Sequence, residues 1–137
     1  MNTILSVAPV VVLASLLAGC GKSEVCSEPD VLATVKQLFE EQEFGKFYKM
    51  PPGIVLVRDK SATHLSTDPT TKIAQCSVII TVDLFEMLKK VQGYSDEQIA
   101  TARAKAERTG QNAAADSLIN YSVQSMASGE YYVMMLP

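Results

Sequence analysis

Two hydrophobic periods alternate along residues 26–137, and the switches between them mark the elements. Val31, Leu32, Val35, Leu38 and Phe39 fall at i, i+1, i+4, i+7 and i+8, a single helical stripe, with Lys36, Glu40 and Glu43 opposite. The spacing predicts an amphipathic helix over 29–44, with Ser27 as N-cap, Asp30 three residues on, Pro29 in the first turn and Gly45 as the stop. The acidic run Glu40-Glu41-Gln42-Glu43 reads as its solvated face. Met50-Pro51-Pro52-Gly53 then breaks the chain, and Ile54–Arg58 reads as a short strand. Ser61 to Thr71, with His64 and an Asp68-Pro69 turn signal, reads as a polar loop.

Lys72 to Val82 reads as a longer strand, with Ala74, Cys76, Val78, Ile80 and Val82 on one face. Leu84, Leu88 and Val91 predict a helix over 83–92, and the capping box Ser95-Asp96-Glu97-Gln98 opens another to about Arg108, before Gly110. Leu118 to Met126 and Tyr131 to Leu136 read as strands joined by a hairpin at Ala127-Ser128-Gly129-Glu130. The order predicts one α+β domain: an N-terminal amphipathic helix packed on a four-stranded antiparallel sheet, with a short helical insert between strands 2 and 3.

The last strand departs from a half-buried pattern. Tyr131-Tyr132-Val133-Met134-Met135-Leu136 is apolar on both faces, where a one-sided strand alternates. Two arrangements satisfy it. Either the main helix covers one face and the insert the other, or one face is exposed and binds a protein or a hydrophobic ligand. Tyr131, Tyr132, Met134 and Leu136 are the candidate contact residues, since Tyr and Met favour such surfaces.

Ahead of the domain, Ile4 to Leu17 is an apolar stretch of signal-peptide length, shorter than a membrane span. It ends in Leu17-Ala18-Gly19-Cys20, which resembles the lipobox of bacterial lipoproteins. The resemblance implies removal of residues 1–19 by signal peptidase II and lipidation of Cys20 as the first residue of the mature chain. The n-region, Met1-Asn2-Thr3, departs from the usual signal in lacking Lys and Arg. Two or three acyl chains, at about 0.8 kcal/mol per buried CH₂, exceed the threshold for stable anchoring. Gly21 after the Cys implies the outer membrane, whereas Gly21-Lys22-Ser23 also resembles an inner-membrane retention sequence.

With Cys20 lipidated, Cys26 and Cys76 remain, an even pair in an oxidising compartment. A bridge is expected, worth roughly 4 kcal/mol on the chain-entropy argument. Two buried thiols are the alternative, while a metal site lacks ligands because His64 is the only histidine. Between Cys20 and Cys26 lie five residues, Gly21 to Val25, reaching about 20 Å at most and holding the domain against the membrane.

All 12 basic and 15 acidic residues follow position 19, so the net charge of −3 belongs to the 118-residue remainder. That balance gives no basic surplus for phosphate, which argues against nucleic acid as a partner. Triad, thiol and phosphate-loop chemistry are poorly supplied, and Asp59, Asp68 and Asp83 read as turn and cap residues. No cofactor and no catalytic residue is expected. The layout resembles the cystatin-like and NTF2-like α+β domains found among small bacterial lipoproteins. The expected role is a non-enzymatic, membrane-anchored periplasmic domain that binds an envelope protein in assembly, inhibition, immunity or exclusion. The alternative is a binder of small hydrophobic ligands on the concave face of the sheet.

Overall fold

The stripe spaced for a helix forms one: α1 runs Pro29–Phe44, burying Val31, Leu32, Val35 and Phe39 against a sheet. The computed structural model describes residues 24–137. The signal-peptide stretch, Cys20 and positions 21–23 lie outside the described residues. The fold is α+β, with four antiparallel strands in spatial order β1 (Val55–Thr67), β2 (Ala74–Asp83), β3 (Ala114–Ser125) and β4 (Tyr131–Met135). A 3₁₀ turn at Glu24–Ser27 precedes α1, and α2 (Leu84–Gln92) and α3 (Asp96–Thr109) come between β2 and β3.

Ser27 does not cap α1. Its hydroxyl donates to the Glu24 carbonyl inside the 3₁₀ turn, and Glu28 takes the N-cap position without a side-chain hydrogen bond. The physical reason lies in Cys26, which is buried and bonded to Cys76. Drawing Cys26 into the core tightens the residues around it, and Pro29 has no N–H for a cap to satisfy.

β2 is the central element. Ala74, Cys76, Val78, Ile80 and Val82 are all buried beneath α1, as their alternation predicted. The disulfide joins Cys26 to Cys76 across 50 residues, and the buried Tyr121 hydroxyl, from β3 opposite Cys76, donates to the Cys26 carbonyl.

β1 is longer than the pattern suggested. Residues 61–67, read as a loop, continue the strand, and His64 pairs with Cys76 in the ladder. Register shifts between Arg58 and Thr63 and between His64 and Ser66 break the period of two, which hides the strand from a pattern search. β3 likewise starts at Ala114, four residues before Leu118. Its first residues are small or polar and carry no apolar signal, yet they pair with Asp83 to Ile80.

The insert has its own small core of Phe85, Ile99 and Ala106, with the Arg103 guanidinium 4.6 Å above the Phe85 ring. Asp83 caps α2 by accepting from the Phe85 and Glu86 amides, and the Ser95–Gln98 capping box opens α3. The insert leaves the sheet where Asp83 pairs with Ala114, whereas Cys26 joins it near the pairing of Ala74 with Val123. Asp83 lies seven positions beyond Cys76, so about 23 Å of strand lies between the two ends.

Candidate binding edge

β4 and β1 are the two edges of the sheet. β4 pairs antiparallel with β3, Tyr132 facing Gln124, Val133 facing Val123 and Met134 facing Ser122. The hydrogen-bonding phase of that ladder follows from its ends. The Met126 amide donates to the Glu130 carbonyl at 2.8 Å, and the Leu136 amide donates to the Asn120 carbonyl at 2.9 Å. Antiparallel ladders alternate hydrogen-bonded and non-bonded pairs, so Tyr132 and Met134, between these rungs at even spacing, turn their amides toward β3. Tyr131, Val133 and Met135 therefore turn theirs outward, and none has a backbone partner among the described residues.

The side chains divide along the same alternation. Val133 is 9% exposed, and Tyr131 and Met135 are half-buried against the core under α1. Tyr132 and Met134 point the other way and are 57% and 49% exposed. The insert does not cover them; its own core holds it at the far end of β2 and β3. Of the four candidate residues, Tyr132 and Met134 stand together on the open face, Tyr131 lies on the helix side, and Leu136 is half-buried just beyond the strand.

Beside the free edge, an open cleft of about 410 Å³ runs between α1 and β4, lined by Leu38, Glu41, Gln42 and Lys46 and by residues 132–135. The concave face itself is filled, since Val31, Val35 and Tyr121 have no exposed surface. The acidic run of α1 is solvated and locally paired: Lys36 meets Glu40 at 2.7 Å, and the Gln37 amide donates to Glu41 at 2.9 Å. α1 packs on β4 as well as on β1, and the cleft beside β4 opens to solvent.

The carboxylates singled out in the sequence serve turns and caps. Asp68 accepts from the amides of Thr70 and Thr71, and Asp59 from that of Lys60. The Thr71 and Thr70 amides hold the Asp68 carboxyl below its ordinary pKa. Burial pushes the Tyr121 hydroxyl up to about 12. His64 lies in β1 with its Nε2 at 2.6 Å from the Thr67 hydroxyl. No group of three or more His, Cys, Asp or Glu side chains among the described residues could hold a metal ion.

Pattern reasoning missed two features. The outward amides of Tyr131, Val133 and Met135 are set by strand phase, for which sequence carries no signal. A polar chain crosses the outer sheet face, where Arg58 Nε donates to Thr81 Oγ1 at 2.9 Å and Thr81 Oγ1 donates to Asp116 Oδ1 at 2.6 Å. It leaves Thr81 buried between two strand neighbours. The chain matches no known protein family, no curated protein and no solved structure.

Proposed function

We propose that the protein is a lipid-anchored, periplasm-facing lipoprotein whose domain has no catalytic role and binds a protein at the membrane surface through the β4 edge. The observation that carries this reading is the open edge itself: three unpaired outward amides beside exposed Tyr132 and Met134. An unpaired, uncharged edge strand is a template for another strand, which sheet proteins normally guard against.

The anchor is argued from Leu17-Ala18-Gly19-Cys20. Glu24 and Val25 belong to the 3₁₀ turn of the domain and shorten the tether expected from the sequence. The reach from Cys20 to Glu24 is then at most about 14 Å, which keeps the edge within a domain's thickness of the bilayer.

A photocrosslinking residue at position 132 in the full-length protein, expressed in intact cells, tests both parts. The expected result is one protein adduct of defined mass, lost when Cys20→Ser blocks lipidation and signal peptidase II processing. Normal processing and membrane retention of Cys20→Ser, or the absence of any adduct from position 132, would overturn the reading.

A further inference from the structure

We infer that the partner strand at the β4 edge is β4 of a second copy of this chain, paired antiparallel about a two-fold axis through Val133. The inference rests on the proposed function, because it names the occupant of the same edge.

A two-fold contact brings a surface against its own copy, so the strand must be complementary to itself. With Val133 facing Val133 of the second copy, Tyr131 faces Met135 and Tyr132 faces Met134 on both sides of the axis. This register is singled out by the phase of the free amides. Tyr131, Val133 and Met135, whose N–H and C=O groups point outward, all fall in hydrogen-bonded pairs of the new ladder, so each outward amide gains a partner. Shifting the register by two residues leaves one of the three without a partner inside the strand.

The side chains agree with the backbone. The exposed Tyr132 meets the exposed Met134 in a non-bonded pair, where cross-strand side chains approach closest, and a thioether beside an aromatic ring is a favourable contact. Charge adds a third argument. Residues 131–137 hold no charged side chain, and Glu130 falls opposite Leu136, so no two charged side chains face each other along this ladder. The adjoining cleft carries both signs, Glu41 and Lys46, so a two-fold contact does not set like charge against like throughout.

The axis runs perpendicular to the sheet, so the 3₁₀ turns of the two copies emerge at opposite ends of an eight-stranded sheet. With about 14 Å of reach for each anchor, both copies enter one leaflet when the sheet lies along the bilayer.

The test uses the full-length protein, with two differently tagged chains carrying Tyr132→Cys and Met134→Cys co-expressed and mildly oxidised. The mixed Cys–Cys crosslink is expected to exceed either same-site crosslink at least tenfold, because position 132 faces position 134 of the second copy and neither faces itself. Met135→Pro, which removes an outward N–H and no bond to β3, is expected to lower the mixed crosslink at least tenfold with unchanged circular dichroism. If Met135→Pro perturbs folding, Tyr131→Pro removes the N–H on the other side of the same rung, at the strand's first residue, where proline is better tolerated. Same-site crosslinks equal to the mixed one would overturn the Val133 register. No chain-to-chain crosslink, with position 132 still capturing a different protein, would overturn the second copy while leaving the proposed function intact.

Discussion

The two edges of one sheet are built differently. β1 is 13 residues long, carries Arg58, Asp59 and Lys60 in succession, and is broken by two register shifts. Charges and bulges of this kind stop a foreign strand from pairing along an edge. β4 is five residues of Tyr, Val and Met, in regular register and without a charge. A fold that places three charges and two register shifts on one edge and none on the other leaves the second available. The exposed Leu56 and Leu118 on the outer sheet face give no comparable contrast, since single exposed apolar residues are ordinary on protein surfaces.

The guarded edge is also the fastened one. Cys76 pairs with His64 of β1 and is bonded to Cys26 in the turn that packs on both β1 and β2. Replacing both cysteines with Ala is expected to destabilise the domain by roughly 4 kcal/mol, lowering the melting midpoint by on the order of 10 °C or more. Hydrogen exchange should show β1 losing more protection than the β3–β4 ladder. Uniform loss would mean that the bridge holds the whole sheet and not this side of it.

Tyr121→Phe is the next largest change. It leaves the buried Cys26 carbonyl without the donor it has now, at a cost of about 1–3 kcal/mol. The same hydroxyl makes the domain sensitive to alkali. Its folded pKa of about 12 stands above the ordinary 10.0, so its stabilising effect is complete below pH 10 and is lost as pH rises toward 12. Thermal melts from pH 9 to 12 should therefore fall more steeply in the natural protein than in Tyr121→Phe.

Removing the guard should change association more than stability. Asp59→Thr with Lys60→Val alters two exposed side chains, so stability should move by no more than about 0.5 kcal/mol. Light scattering should nonetheless show concentration-dependent growth beyond a dimer, as β1 becomes a second usable edge. Unchanged scattering would assign the protection of β1 to its bulges alone.

The smallest effect belongs to the turn that ends β1. Asp68 titrates below its ordinary 3.8 because the Thr71 and Thr70 amides stabilise its charged form. A lowered carboxylate stabilises the fold above its unfolded pKa and loses that contribution as pH falls through the folded value. Asp68→Asn should melt slightly below the natural protein at pH 6, with the gap closing below about pH 4.

How far this contrast could be read from the chain differs by element. The alternation Ala74 to Val82 identified β2 and its buried face, and the doubly apolar run at 131–136 marked the unusual strand. β1 was half hidden, because each bulge resets the side-chain phase and its Ser and Thr residues resemble a loop. Which face of β4 is open followed only from where α1 and the insert pack, and the direction of its free amides from the pairing with β3. Both are tertiary facts with no local signature. Position 27 shows the same limit, since a good capping residue was overridden by the disulfide beside it.

The central claim is that β4 keeps its outer amides free to receive a strand. Residue-resolved hydrogen exchange on the anchored protein, in bilayer nanodiscs holding one copy or two, addresses it most directly. The amides of Tyr132 and Met134 are expected to be slow in both, while those of Tyr131, Val133 and Met135 exchange freely with one copy and become protected with two. Equal rates for these three in both preparations would contradict it.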